Sequence, residues 1–267
     1  MQNVGSQNSS ALHTLARVGY AAKGVVYLII GGLAAQGVAQ AGSQGALTKI
    51  AQQPFGRVLL AVVALGLAAY ALWRLVQGFA DSGDEGGDAS GIGKRIGYVG
   101  SGLAYAALTV AAVQIILGGG GSSGGGSGGG AQDWTATLLQ APFGRFLVGA
   151  VGVGVVLGGL YQLYQAVSAK FTEEFRTGEM SSTELTWARR VGRVGHAARS
   201  VVYFIIGWFL LRAALTSNAS EVGGLGKALD TLQGQPYGAW LLGVTGVGLA
   251  AYGVYCFVLA RYRRETA

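Results

Sequence analysis

Long apolar stretches separated by short polar segments are the dominant pattern along this chain. Six of these stretches contain about 20 residues each, which is the length of an α-helix that crosses a hydrocarbon core of roughly 30 Å. They lie near residues 18–38, 57–79, 96–118, 145–168, 194–216 and 238–260. The pattern therefore predicts an all-α, polytopic membrane protein with six transmembrane helices.

The six stretches form three copies of one two-helix hairpin. Between residues 17–31 and 193–207, 11 of 15 positions are identical, and a more divergent copy begins at Arg95. Each second stretch opens with proline, an aromatic residue and glycine, at Pro54, Pro142 and Pro236. Three units with the same orientation predict a pseudo-threefold axis along the membrane normal, unlike the inverted repeats of many transporters. The internal copies also argue against a cleaved signal peptide at the first stretch.

The repeats divide the chain into hairpins and linkers. We predict hairpin repeats at 17–80, 94–169 and 193–261, a polar N-terminal tail at 1–16, an acidic cytoplasmic linker at 81–93, a second cytoplasmic linker at 170–192 and a C-terminal tail at 262–267. Residues 118–130 are all Gly or Ser and predict a flexible loop within the second repeat. Each proline suits the first turn of a helix, and we expect a short amphipathic helix before it on the outer surface.

Composition favours a membrane protein over a soluble domain. Charged residues make up 12% of the chain, against about 25% in soluble domains. With 48 glycines and 51% hydrophobic residues, a soluble chain would expose large apolar patches. Cys256 is the single cysteine, which excludes a disulfide scaffold; we interpret it as a small apolar side chain within the last span.

Basic residues are concentrated on one side of the predicted spans. Fourteen Lys and Arg residues lie on the side that holds both termini, and five lie on the other side. Because cytoplasmic loops carry an excess of Lys and Arg, this distribution predicts that both termini are cytoplasmic. The net charge of +7 is then a signal of topology, and we expect no nucleic-acid partner because no recognised binding module is present.

One face of the first helix in each hairpin carries a repeated pattern. Counting from its arginine, positions 0, 3, 7, 10 and 14 fall within an arc of roughly 80°. Small residues at positions 7 and 14 allow another helix to approach closely. Positions 3 and 10 form a polar stripe of Tyr20, Tyr27, Tyr98, Tyr105, His196 and Tyr203. We interpret this stripe as interhelical packing, with the lining of a polar cavity as the alternative.

Five basic residues near the predicted cytoplasmic end are candidate contacts for an anion or a lipid headgroup. They are Arg17, Lys23, Arg95, Arg193 and Arg199. The N-termini of three spans meet there, and their partial positive charges favour a negative ligand. The hypothesis is a site for an anionic headgroup or a small anion at the inner leaflet. The alternative is that these are ordinary basic flanks, which fits Lys23 and Arg199 less well because both lie six residues inside their spans.

No catalytic pattern is visible. His13 lies in the polar tail, and His196 replaces a tyrosine of the other repeats, which favours an interhelical hydrogen bond over acid–base chemistry. The sequence has no carboxylate pair, nucleophile–base pair or metal-ligand spacing. We therefore expect a protein that is not an enzyme and has no cofactor and no metal site.

Three hairpins that open with Arg-[Val/Ile]-Gly-[Tyr/His] and return through Pro-[Phe/Tyr]-Gly resemble the bacterial six-span membrane family called domain of unknown function 1206. The resemblance covers residues from Arg17 to about Arg261. It implies a multi-pass protein of the bacterial cytoplasmic (inner) membrane, and it supplies no activity, substrate or catalytic residue.

Two classes of function stay open. The first is a non-enzymatic helical bundle that binds lipid, including anionic headgroups, or a membrane-protein partner. The second is a small transporter or channel for an anionic or small polar solute along the pseudo-threefold axis. The second class is less favoured because no Asp or Glu lies within a span and such residues usually mark transport pathways.

Overall fold

The computed structural model describes residues 3–36, 43–52, 55–80, 88–117 and 129–263. Within these ranges the chain forms α1 (Asn3–Ala35), α2 (Ser43–Ala51), α3 (Gly56–Ala80), α4 (Ala89–Ile116), α5 (Gly129–Gln140), α6 (Gly144–Ser168), α7 (Ser182–Thr216), α8 (Leu225–Gln233) and α9 (Gly238–Tyr262). Helices α1, α3, α4, α6, α7 and α9 are long and apolar enough to cross a membrane. The all-α fold with six spans, predicted from the apolar pattern, is confirmed.

Each hairpin consists of two long helices joined by one short helix. The short helix α2 packs against α1, α3 and α4, and α8 packs against α7 and α9. Their apolar sides are buried, including Leu47 and Leu229, which are 0% and 1% exposed. The amphipathic helices predicted before each proline are therefore present, with their apolar faces against the bundle.

The six long helices form a ring with pseudo-threefold symmetry. The second long helix of each hairpin packs along the first long helix of the next hairpin: α3 on α4, α6 on α7, and α9 on α1. The contact between α9 and α1 joins the third hairpin to the first, as a cyclic arrangement of three equivalent units requires. The arrangement predicted from three parallel repeats is thus observed.

Small residues make these contacts possible, as the repeated positions 7 and 14 predict. A Cβ atom at Gly24 in α1 would lie 2.9 Å from the carbonyl oxygen of Gly253 in α9. At Gly207 in α7 it would lie 3.3 Å from the carbonyl oxygen of Gly152 in α6. Larger side chains at these positions would separate the backbones and remove the dispersion contacts that hold helices together in lipid.

The Pro-aromatic-Gly motif forms a tight turn between the short helix and the second long helix. The aromatic residues Phe55, Phe143 and Tyr237 have φ values of 59°, 61° and 61°, in the left-handed region. The glycine that follows begins the helix, and a Cβ atom at Gly144 would overlap the carbonyl oxygen of Leu138. Proline therefore precedes the left-handed residue, and its predicted place in the first helical turn is wrong for Pro142 and Pro236. Pro54 lies outside the described residues.

Several helices start earlier than the apolar pattern predicts. Helix α1 begins at Asn3, so most of the predicted N-terminal tail is helical. Asp88 caps α4 by accepting a hydrogen bond from the Gly91 amide at 2.9 Å, and Ser181 caps α7 in a capping box with Glu184. These caps extend helices into the predicted linkers 81–93 and 170–192, because polar residues can continue a helix beyond the apolar core. Residues 81–87, 118–128 and 264–267 of the predicted linkers, loop and tail lie outside the described residues.

The second hairpin departs from the other two. Helix α1 packs along α3, and α7 packs along α9, whereas α4 and α6 scarcely touch. A Cβ atom at Gly19 or Gly195 would lie 2.7 Å from an atom of Tyr70 or Tyr252 on the partner helix. At the equivalent Gly97 it would have no atom within 4 Å. A groove, called the α4–α6 groove below, therefore separates these two helices.

Candidate anion site at the centre of the bundle

Two buried cations lie inside the ring of helices. Lys23 on α1 and Arg199 on α7 occupy the same repeat position and are 4% and 9% exposed. Within the described residues, neither buried cation forms an ion pair with a carboxylate; their side-chain hydrogen bonds go to uncharged groups. An unpaired buried charge costs several kcal/mol unless other groups compensate it.

Tyrosines compensate the charge of Lys23 in part. Its Nζ donates a hydrogen bond to the Tyr70 hydroxyl at 3.0 Å. The same atom lies 4.7, 5.4 and 5.3 Å from the ring centroids of Tyr70, Tyr105 and Tyr252. Each such ring contributes about 0.5–2 kcal/mol through its negative face. These tyrosines come from α3, α4 and α9, so the ammonium group lies between four helices.

Arg199 lies beside the same aromatic group. One of its terminal nitrogens donates to the Tyr203 hydroxyl at 2.6 Å. Its Cζ lies 4.3 Å from the centroid of Tyr252. Because Lys23 Nζ is also within reach of the Tyr252 ring, the two cations lie within about 10 Å of each other. We call Lys23, Arg199 and the tyrosines around them the central site.

Gln162 on α6 connects Arg199 to His196. With its amide oxygen toward the guanidinium group, it accepts hydrogen bonds from both terminal nitrogens of Arg199, at 2.8 and 3.2 Å. Its amide nitrogen then donates to His196 Nδ1. This orientation satisfies both neighbours, and it assigns the proton of the neutral imidazole to Nε2. His196 therefore bonds between helices, and its ring stacks on Phe171 at a centroid distance of 4.9 Å.

Two donors at these residues have no hydrogen-bond partner in the described part of the chain. They are Nε of Arg199 and Nε2 of His196. A buried donor without an acceptor costs about 1–3 kcal/mol. A third unpartnered atom, Oε1 of Gln165, is an acceptor further along α6. The combination of unpaired cations and unpartnered donors is the chemistry that an anion or a phosphate oxygen would satisfy.

Arg17, Arg95 and Arg193 lie apart from the central site. Each donates to a backbone carbonyl at the C-terminal end of the neighbouring hairpin's second helix. The bonds are Arg17 Nε to Ala260 O at 3.0 Å, Arg95 Nε to Gly78 O at 3.0 Å and Arg193 to Val167 O at 3.3 Å. The C-terminus of a helix has unsatisfied carbonyls and a partial negative charge. A basic side chain can donate hydrogen bonds to these carbonyls and balance the charge. The structure thus divides the five predicted cations into two central residues and three that cap helix ends.

The predicted polar stripe packs between helices and surrounds the central site. The rings of Tyr20 and Tyr105 meet Tyr70 edge-on at 5.3 and 4.6 Å, and Tyr27 meets Tyr252 in the same way at 4.9 Å. Tyr98 lies against Arg74 of α3, with 4.9 Å between its ring centroid and the arginine Cζ. With His196 and Tyr203 described above, all six stripe residues therefore contact another helix or a central cation.

Sequence reasoning missed the residues that the second helices contribute. The Tyr70 hydroxyl accepts from Arg74 Nε at 2.9 Å as well as from Lys23. Tyr70 and Tyr252 both lie 16 positions after the proline of their hairpin, and Arg74 and Gln162 both lie 20 positions after it. The signal in the sequence for these positions is their shared distance from the proline of each hairpin.

Buried side chains lie on both sides of the central site along the axis. At the end of the bundle that carries Arg17, Arg95 and Arg193, Phe171 and Phe175 are each 1% exposed and pack against Tyr255. On the other side, Ile30, Leu60 and Leu242 belong to one buried apolar cluster. Among the described residues, no group of three or more His, Cys, Asp or Glu side chains could hold a metal ion.

Comparison with known proteins identifies the family. The family model described as Domain of Unknown Function (DUF1206) matches residues 18–81, 96–169 and 194–263. The uncharacterized protein YxxB of Bacillus subtilis (strain 168) is 31% identical over 270 residues, which cover all of this chain and 96% of that protein. No solved structure matches the chain. Because the three matched segments coincide with the three hairpins and cover most of the sequence, the chain belongs to the DUF1206 family.

Proposed function

We propose that this protein is a non-enzymatic membrane bundle that binds an anionic group, a phosphate-type headgroup or a small anion, between Lys23 and Arg199. The observation that carries the proposal is the burial of these two cations without a carboxylate partner among the described residues. The unpartnered Nε of Arg199 supports it. An anion there would accept charge-assisted hydrogen bonds, which contribute about 1.5–3 kcal/mol each.

The tyrosines alone leave the two charges incompletely compensated. Lys23 has three N–H donors, and one of them reaches a hydroxyl at 3.0 Å. Ring faces and hydroxyls attract a cation but carry no net charge. At an effective dielectric constant of 20, a negative charge at 4 Å attracts each cation by about 4 kcal/mol. Binding an anion between the cations would therefore stabilise the folded bundle.

We propose that the site lies in the cytoplasmic half of a bacterial inner membrane, with both termini cytoplasmic. The support is the excess of Lys and Arg on the side that holds the termini. Lys23 follows Arg17 by six residues, which places it about 9 Å further along α1. This depth is compatible with a lipid headgroup drawn into the inner leaflet or with a solute from the cytoplasm.

No observation favours passage of a solute along the axis. Phe171 and Phe175 lie on one side of the central site, and Ile30 and Leu60 lie on the other, each with 2% exposure or less. A continuous polar path would require these layers to separate. Binding is therefore the function that the geometry supports best.

Replacement of both central cations tests the proposal. We expect inorganic phosphate or phosphatidylglycerol to raise the thermal unfolding temperature of the wild-type protein in neutral detergent, while phosphatidylcholine has little effect. The double variant Lys23→Met, Arg199→Met should lose this increase. It should still fold, because exchanging buried charges for apolar side chains is often neutral or stabilising.

The control is the double variant Arg17→Met, Arg193→Met, which removes the same charge from residues that cap helix ends. It should retain the stabilisation by anions. If the variant without Lys23 and Arg199 is stabilised as much as the wild type, or if anions do not stabilise the wild type, the central site does not bind them.

A further inference from the structure

We propose that the ligand of the central site is an anionic lipid, which enters sideways through the α4–α6 groove with its acyl chains against the groove and its phosphate at Lys23 and Arg199. This inference rests on the proposed anion-binding function and adds the class of ligand and its route.

The groove is a local exception to the pseudosymmetry. In the first and third hairpins, the positions where the two long helices meet are buried. On the first helices these buried positions are Gly19, Ala22 and Val26, and Gly195, Ala198 and Val202. The equivalent Gly97, Gly100 and Ala104 of α4 are exposed, as are Val151 and Gly154 of α6. The same repeat positions therefore form an interface twice and an open groove once.

The second hairpin also lacks the bulky residues of the central site. Gly158 occupies the position of Tyr70 and Tyr252, and Ser101 occupies the position of Lys23 and Arg199. At these two positions the first and third hairpins contribute a tyrosine and a cation each, while the second hairpin contributes neither and reaches the central cations only through Tyr105 and Gln162. Smaller side chains therefore separate the central site from the groove on the side where α4 and α6 diverge, although Lys23 and Arg199 themselves are buried.

Residues on both walls of the groove contact a central cation or a tyrosine bonded to one. On α6, a Cβ atom at Gly158 would meet the ring of Tyr203 at 3.4 Å, and the Tyr203 hydroxyl bonds to Arg199. Gln162, one turn further, accepts directly from Arg199. On α4, Tyr105 lies one turn after Ser101, and its ring centroid is 5.4 Å from Lys23 Nζ.

Charge and polarity favour a lipid in this place. The exposed walls of the groove consist of glycine, alanine and valine, which suit an acyl chain. The inner end offers two cations and the unpartnered Nε of Arg199, whose side chain is 9% exposed. A partner helix would fill the groove but would leave the cations uncompensated unless it carried an acidic residue. A free solute would have to cross hydrocarbon to reach a lateral opening.

Filling the groove without touching the cations tests the route. The double variant Gly97→Leu, Gly154→Leu places side chains where no atom lies within 4 Å, so the packing of the bundle should be preserved. Gly243→Leu on α9 is the matched control, because its Cβ position is equally open and lies outside the groove. Binding is measured by titrating purified protein in neutral detergent with dioleoylphosphatidylglycerol and, separately, with the soluble headgroup analogue glycerol 3-phosphate.

We expect phosphatidylglycerol to bind the groove-filled variant about tenfold more weakly than the wild type, since a few methylene groups of contact are lost. The Gly243→Leu control should bind normally, and glycerol 3-phosphate should bind more weakly than the lipid. Equal binding of the lipid by the groove-filled variant would overturn the lateral route. So would binding of glycerol 3-phosphate as tightly as the lipid, or recovery of a protein cross-linked at the groove in place of lipid.

These results are separable from a failure of the central site itself. If Lys23→Met, Arg199→Met abolishes binding of both ligands but the groove-filled variant binds phosphatidylglycerol as tightly as the wild type, the anion site stands and the lateral lipid route falls. If lipid binding survives replacement of both cations, the proposed function falls as well.

Discussion

Removal of the Tyr70 hydroxyl should destabilise the bundle far more than removal of the equivalent hydroxyl of Tyr252. Tyr70 is 0% exposed, and its hydroxyl accepts from Lys23 Nζ at 3.0 Å and from Arg74 Nε at 2.9 Å. Tyr70→Phe keeps the ring and its contacts with the cations. It therefore isolates the contribution of a single oxygen atom.

The magnitude follows from the two cations that would lose an acceptor. A hydrogen bond that involves a charged group contributes about 1.5–3 kcal/mol. Lys23 is buried and should lose the full amount, whereas Arg74 is half-buried and still bonds to Gln77 at 3.1 Å. We expect Tyr70→Phe to lower the free energy of unfolding by about 2–5 kcal/mol in total.

Tyr252→Phe is the matched control. Tyr252 occupies the same repeat position and is 4% exposed, and its ring lies against both Lys23 and Arg199. Within the described residues, its hydroxyl accepts no hydrogen bond from either cation. Because the ring contacts survive the change, we expect a loss of less than about 1.5 kcal/mol.

The assay is equilibrium unfolding by urea in neutral detergent micelles, followed by tryptophan fluorescence, with no anionic lipid present. The ring centroids of Trp73 and Tyr20 are 5.7 Å apart, so the fluorescence of Trp73 reports on this part of the core. Equal losses for the two variants, or a loss below about 1 kcal/mol for Tyr70→Phe, would refute the assignment of Tyr70 as the shared acceptor of Lys23 and Arg74.

Two further predictions concern the repeated motifs. Arg95→Met should lower the free energy of unfolding by about 1–3 kcal/mol, because two carbonyls at the end of α3 lose their donor. Replacement of the exposed Arg57 by Met is the control and should leave the free energy of unfolding almost unchanged. Equal effects of the two variants in the same unfolding assay would contradict the capping role of Arg95. Gly144→Ala should destabilise the fold strongly, because its Cβ would overlap the Leu138 carbonyl, whereas Gly154→Ala should be neutral or stabilising by up to about 1 kcal/mol. A comparable thermal unfolding temperature for the two alanine variants would show that the turn tolerates a side chain.

The proposed lipid binding predicts that the central site and the groove have separate effects. Variants at Lys23 and Arg199 should alter the response to anions, while variants at Gly97 and Gly154 should alter the response to lipids that carry those anions. The residues concerned lie on different helices and share no hydrogen bond. Their effects can therefore be measured independently.

The sequence pattern alone predicts the long helices and part of the central site. Apolar stretches of membrane-spanning length and three repeated hairpins predict the six spans, because both signals are local and periodic. Lys23 and Arg199 stand out as cations six residues inside their spans. Caps at Asp88 and Ser181 shifted helix starts, since polar residues at a helix end carry no hydropathy signal.

Only the tertiary structure decided which repeated positions are interfaces and which are open. Gly66, Gly154 and Gly248 lie at the same place in their hairpins. A Cβ atom at Gly66 or Gly248 would overlap Ala22 or Ala198, yet at Gly154 it would meet nothing within 4 Å. A small residue permits close approach but does not compel it, because contact depends on where the neighbouring helix lies. The sequence by itself determined a threefold bundle, and packing between distant segments decided that the two long helices of its second hairpin stay apart while those of the other two hairpins meet.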